Sequence, residues 1–218
     1  MKKFQLELLQ EYTLKRIDGE TRLYETPEGN KYPSVTSILS QMNKQKIIEW
    51  REKVGAEAAN KITAHASSRG TKIHSILEKY VLNEDDYAKG QMPLNIEMFK
   101  QIKDYLDKHV DIIYGSELKL YSDKIRLAGT ADLICRMHGE RAVVDFKTST
   151  YHKKEEWIEN YFLQAAAYAT MVEERYNLYT GKFCILIATE QEGLQFFWKD
   201  AKEYKQKLQE FLISVGHC

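Results

Sequence analysis

The stretch GTADLICRMHGERAVVDFKTS, Gly129 to Ser149, decides how this chain folds. Two apolar-rich runs flank a polar break at His138-Gly139, the pattern of two antiparallel strands joined by a tight turn. A two-residue turn there pairs Arg136 with Arg141 and, followed outward, sets Asp132 against Asp145; a four-residue turn from Met137 to Glu140 gives the same register. Directly opposed residues hold their β-carbons about 4.5–5.5 Å apart on one face, a separation at which two carboxylates can share one ion. Lys147, two residues beyond Asp145, joins that face.

Upstream, SELKLYS (116–122) and IRLAGTADLICR (125–136) extend the meander. A turn at Asp123-Lys124 would set Glu117 opposite Thr130 and bring Glu117, Asp132, Asp145 and Lys147 to one face. Carboxylates gathered without a cation repel, so either their pKa values rise or they bind a metal. Oxygen ligands select hard ions such as Mg²⁺ or Mn²⁺, which lower the pKa of a bound water and mask a phosphate's charge. The plainer alternative is that Asp145 and Lys147 form an ordinary ion pair at a strand end, buried pairs being known as structural features. Against a surface pair stands the apolar run AVVDF, where a buried carboxylate is costly unless paired or used.

Around this meander the periodicity is helical. The first thirty or so residues read as a hairpin about Asp18-Gly19 and a second turn at Pro27-Glu28-Gly29-Asn30. Pro33-Ser34-Val35-Thr36 leads into a helical stretch through SILSQM and IIEWREKVGAEAANKITAHASS. A new helix is expected after Arg69-Gly70-Thr71, with Ile73, Ile76, Leu77, Tyr80 and Val81 on one stripe, and a loop through Glu84-Asp85-Asp86 to Pro93. Ile96–His109 forms a third helix. After the meander come a helix in EEWIENYFLQAAAYATMVEERY, strands in KFCILIAT and LQFFWK, and a closing helix in AKEYKQKLQEFLISV. The expected fold is α/β (α+β): one domain over 1–218, with an N-terminal hairpin and helical region (1–110) and a core (111–218) whose mixed central sheet carries the meander between helices.

Composition excludes several classes. The chain has 218 residues, 43% hydrophobic and 29% charged, with only 3 Pro, the make-up of a globular and not a disordered protein. No apolar run approaches the roughly 20 residues of a membrane span, and the N-terminus lacks the features of a leader. Cys135, Cys184 and Cys218 are odd in number and far apart, which argues against a disulfide framework or a thiolate metal site and for a reducing cytoplasm. Lys plus Arg equals Asp plus Glu at 32 each, yet between Lys31 and Lys72 eight basic residues face three acidic ones. Such a segment can follow a phosphate backbone or be a plain solvated face. No GxxxxGK[ST] loop occurs, so no nucleotide is expected as a cofactor.

GTADLI, VVDFKTS and QAAAYA resemble, in order, the GxxD, DxK and QxxxY motifs of RecB-like PD-(D/E)XK nucleases, and RGTKIHSILE resembles the helical histidine element of that branch. With YPSVTSIL near the start, the layout is most similar to the family of mitochondrial genome maintenance exonuclease and related phage exonucleases. The resemblance implies a restriction-endonuclease-like core. It implies that His74, Asp132, Asp145 and the backbone carbonyl of Phe146 hold a Mg²⁺ or Mn²⁺ ion, that Lys147 positions or polarises the attacking water, that Glu117 occupies the acidic place on the first strand, and that Gln164 and Tyr168 lie near the reacting centre. An iron–sulfur cluster, present in some relatives, is not expected with three cysteines.

The partner implied is DNA, single-stranded or with a free end, threaded under a helical arch formed by about Ile47 to His74 and leaving 5′-phosphate products; Trp50 and Tyr80 are candidates for base stacking. Ser34, Thr36, Ser37, Arg69, Lys72, Thr148 and Ser149 are candidate phosphate contacts, although Ser and Thr at element ends are commonly caps. A helicase, polymerase or single-strand binding protein would be a separate chain, in the setting of repair, replication or recombination. A flap or junction endonuclease with the same site, and a DNA-binding module without catalysis, are the alternatives.

Overall fold

The computed structural model describes residues 3–217, so Cys218 lies outside the described residues. Strands are β1 (Gln5–Leu6), β2 (Lys15–Ile17), β3 (Leu23–Glu25), β4 (Lys31–Pro33), β5 (Val110–Ser122), β6 (Leu127–Met137), β7 (Glu140–Ser149), β8 (Lys182–Thr189) and β9 (Gln195–Asp200). Helices are α1 (Val35–Leu39), α2 (Lys44–Val54), α3 (Ala56–Val81), α4 (Pro93–His109), α5 (Glu159–Tyr176) and α6 (Ala201–Ser214). Six strands form a mixed sheet in the order β1-β5-β6-β7-β8-β9, and β2, β3 and β4 form a small sheet of their own.

Side-chain alternation along the central strands divides the core in two. Val143, Ile185 and Ile187 point to the layer that holds α5 and α6, whereas Val144, Phe146, Cys184 and Leu186 point to the layer of α3 and α4. Strands buried on both faces read as continuous apolar runs, and KFCILIAT is one. It pairs parallel with β7 across the α5 crossover, as parallel neighbours require.

The β6–β7 hairpin has the expected register, Arg136 opposite Arg141, closed by His138 and Gly139 at φ 53° and 79°. Positive φ at both positions belongs to a turn whose twist matches the strands it joins. The preceding hairpin corrects the sequence reading. Its loop is four residues, Asp123 to Arg126, so Lys119 and not Glu117 lies opposite Thr130. A two-residue shift preserves the face, and Glu117 arrives across from Asp132.

Three helix boundaries also differ from expectation. The helix expected to run unbroken from Ile47 breaks at Gly55, where φ 83° and ψ 148° are far from helical. Arg69-Gly70-Thr71, expected to separate two helices, lies inside the 26 residues of α3: an interior glycine costs only about 1 kcal/mol, which the buried stripe from Ile73 to Val81 offsets. Pro93 is the first residue of α4, where its fixed φ and missing N–H cost nothing.

Candidate active site

β6 and β7 are paired as far as Leu133–Val144 and part at the next residues, Asp132 and Asp145. Beyond that point the Phe146 amide donates not to a strand carbonyl but to Asp132 Oδ2, at 2.7 Å. The two carboxylates therefore stand at a fork in the sheet, with β5 continuing beside β6 and β8 beside β7.

Each layer sends residues to this fork. From α5, Gln164 Nε2 donates to Asp145 Oδ1 at 2.8 Å; on β7 itself, Lys147 forms an ion pair with Asp145 Oδ2. From α3, His74 Nε2 lies 2.9 Å from the Phe146 carbonyl, while Nδ1 faces Asp132 Oδ1 at 3.5 Å and Glu117 Oε1 at 3.7 Å. Glu117 reaches this position from a left-handed backbone, φ 49°. Such conformations cost a non-glycine residue about 1–3 kcal/mol and collect at functional sites.

The electrostatics follow from burial and neighbours. Asp145 is 1% exposed, and burial, aided by the Asp132 charge and opposed by Lys147, lifts its carboxyl to about 6. Lys147 is itself shifted upward, burial being outweighed by Asp145 and Asp132, so the proton of the pair stays on nitrogen at neutral pH. Burial also opposes the charge on His74, but the Asp132 and Glu117 carboxylates prevail and raise it to about 10. Burial raises the Asp132 carboxyl, and His74 first, with Lys147 and the Phe146 amide, more than reverses this, leaving it below its ordinary value.

One nitrogen of His74 and one oxygen each of Glu117 and Asp132 lie within 4.8 Å of one another. This nitrogen and oxygen set, free of thiols, fits a hard divalent ion, and the Phe146 carbonyl facing Nε2 is the outer partner that fixes which ring nitrogen ligates. Asp145 stands beside the set, held by Lys147 and Gln164. The Phe146 carbonyl, implied as a direct ligand, accepts from His74.

The remaining expected residues are placed as follows. Tyr168 is buried beneath Gly129. Arg69 is buried in an ion pair with Glu190 and donates to Thr148 Oγ1 at 3.2 Å. Ser34 caps α1, its hydroxyl accepting from the Ser37 amide at 3.0 Å, with the Thr36 hydroxyl 3.2 Å away. Ser149 is buried and Lys72 exposed. Tyr80 corrects the stacking expectation: it is fully buried and donates to Asp107, so its ring faces Phe4, Tyr87 and Phe99 and no base. Two residues escaped the sequence reading. Tyr161 carries Lys147 Nζ 5.0 Å from its ring centroid, and Glu78, one helical turn past His74, lines an open cavity of about 470 Å³ with His74 and Glu117. Helical spacing of three from Gln164 and four from His74 was the available signal.

No curated protein matches this chain. Among solved structures, one from Eubacterium rectale that carries a provisional exonuclease assignment aligns over 66% of this chain and 63% of its own length, with 16% identity and a TM-score of 0.44. The family model of the PD-(D/E)XK nuclease superfamily matches residues 88–212, which contain Glu117, Asp132, Asp145, Lys147, Gln164 and Tyr168. That match spans more than half of the chain, and the chain belongs to the PD-(D/E)XK nuclease superfamily.

Proposed function

We propose that this nuclease is a Mg²⁺- or Mn²⁺-dependent DNA exonuclease that acts on single-stranded ends and leaves 5′-phosphates, in the manner of the mitochondrial and phage exonuclease branch. The observation that carries the reading is the fork itself: Asp132, Asp145 and Lys147 gathered where β6 and β7 part, with His74 and Glu117 closing on Asp132. His74, Glu117 and Asp132 would hold the ion, with Asp145 adjoining. When bound, it supplies charge neutralisation for the phosphate and acidity for a water molecule. Lys147, kept protonated by Asp145, places a positive charge and a hydrogen-bond donor where the scissile phosphate and attacking water meet. Gln164 holds the Asp145 carboxylate in its rotamer, which keeps the Lys147 ammonium aimed. The single domain over 1–218, with residues 1–110 as the DNA-guiding part, belongs to the same proposal.

Digestion of end-labelled linear and circular single-stranded DNA with Mg²⁺, Mn²⁺ or EDTA, comparing wild type with Lys147→Ala, tests it. Ion-dependent loss of linear DNA alone, abolished by the substitution, is expected. Cutting of the circle would replace the reading with an endonuclease, and inactivity with both ions would replace it with a binding module.

A further inference from the structure

The segment joining β7 to α5 is tied down yet displays its aromatic side chains to solvent. The His152 amide donates to Glu192, the Lys153 amide to Gln195 Oε1 at 2.8 Å, and Gln195 Nε2 returns a bond to the Lys153 carbonyl at 2.8 Å. The Gln191 amide donates to the Thr150 carbonyl at 3.2 Å. On this anchored backbone Tyr151 is 59% exposed and Trp157 53% exposed. A single exposed ring is ordinary on a protein surface; here two stand six residues apart on one bonded segment, each with a lysine within three residues.

Their position ties them to the site. Tyr151 follows Lys147 by four residues, and Trp157 precedes Tyr161, the ring beneath Lys147 Nζ, by four. Four residues span at most about 14 Å, so Tyr151 is within that reach of Lys147, and Trp157 within that reach of Tyr161, whose ring lies 5.0 Å from Lys147 Nζ. Lysines accompany the rings: Lys154 Nζ lies 5.2 Å from the Trp157 centroid, repeating outside the site the pairing of Lys147 with Tyr161. Of the acids nearby, Glu155 is engaged by Lys199 and Glu192 by His152, Glu159 acts on Lys207, and Glu156 is in no ion pair among the described residues.

We infer that Tyr151 and Trp157, with Lys153 and Lys154, form a stacking strip that holds unpaired nucleotides next to the scissile phosphate. Stacking on exposed rings beside cations is tolerant of sequence and open only to unstacked bases, so the strip selects single strands over duplex. This inference rests on the DNA-cleaving reading of the same site, but it concerns binding and is tested without cleavage.

The test is fluorescence anisotropy of a labelled oligothymidylate, and of a matching blunt duplex, in EDTA. Wild type is compared with Tyr151→Ala/Trp157→Ala and with Tyr151→Phe/Trp157→Phe. Because both rings are exposed, neither variant should alter the thermal midpoint. The alanine pair is expected to bind the single strand about 10- to 100-fold more weakly, on the stacking contribution of one or two bases, with duplex binding unchanged and the phenylalanine pair close to wild type. Equal single-strand affinity in wild type and the alanine pair overturns the strip, as does parallel weakening of duplex binding. Failure of wild type to hold the single strand also overturns it, while the nuclease reading stands or falls separately on the digestion of labelled DNA.

Discussion

Gly129 and Tyr168 belong to motifs distant in sequence and are fitted to each other in space. A β-carbon at Gly129 would lie 2.8 Å from the Tyr168 hydroxyl and 3.0 Å from its Cε1, so the bare backbone of the first is the room occupied by the second. Gly129→Ala is expected to cost about 1–3 kcal/mol, the usual penalty of overpacking. Tyr168→Phe removes the nearest atom, and the double variant should lose less than the sum of the singles in urea unfolding; simple additivity would show that the contact is not the reason for the glycine. His74 gives a prediction in pH. Its folded pKa, about 10, exceeds the ordinary 6.5, so without metal its charged form contributes stability that is whole below about 6.5 and is lost as pH rises toward 10. In EDTA the thermal midpoint of wild type should fall over that window more steeply than that of His74→Gln, and equal slopes would mean a neutral imidazole.

Among the elements, α3 and β7 are held in place by one buried arginine. Arg69 leaves α3 five residues before His74, donates to Thr148 next to Lys147, and pairs with Glu190 just past β8. The distance between the histidine from one layer and the lysine from the other thus depends on this clamp. Removing one partner leaves the other charge buried and unpaired: Arg69→Met should destabilise by about 3–5 kcal/mol in urea unfolding. Arg69→Met/Glu190→Gln should recover a large part of that loss. If the double variant is no better than the single, hydrogen bonding to Thr148 and not charge is what holds the junction.

For the molecule as a whole, α2 is a helix that adds little to the core. It buries no residue, and Lys44, Lys46 and Lys53 stand exposed on it. No helix among the described residues is long and apolar enough to cross a membrane, and Ile47 and Ile48 of α2 are exposed. Changing the three lysines to Gln should leave the thermal midpoint unaltered. If they follow the DNA backbone, the slope of log affinity against log salt should flatten by about 0.7 for each single-strand phosphate that is no longer neutralised. An unchanged slope would mark α2 as a plain solvated face.

What could be read in the sequence was local. Alternation about His138-Gly139 set the register that brings Asp132 and Asp145 together, and β8 was legible end to end because a strand buried on both faces is apolar throughout. The two-residue β1, with both side chains exposed, offered no such pattern. Glu117 was assigned the right face and the wrong partner, since turn length changes the register while parity preserves the face. The motif resemblance implied that His74 and Asp132 share an ion, but only the tertiary structure decided that His74 donates to the Phe146 carbonyl, that Gln164 holds Asp145, that Tyr161 lies beneath Lys147 and that Tyr80 is a core residue. The physical reason is common to all four: a strand or turn states its geometry within a few residues, whereas the approach of α3 and α5 to opposite sides of a forked sheet depends on packing summed over the whole core, which no short window of sequence contains.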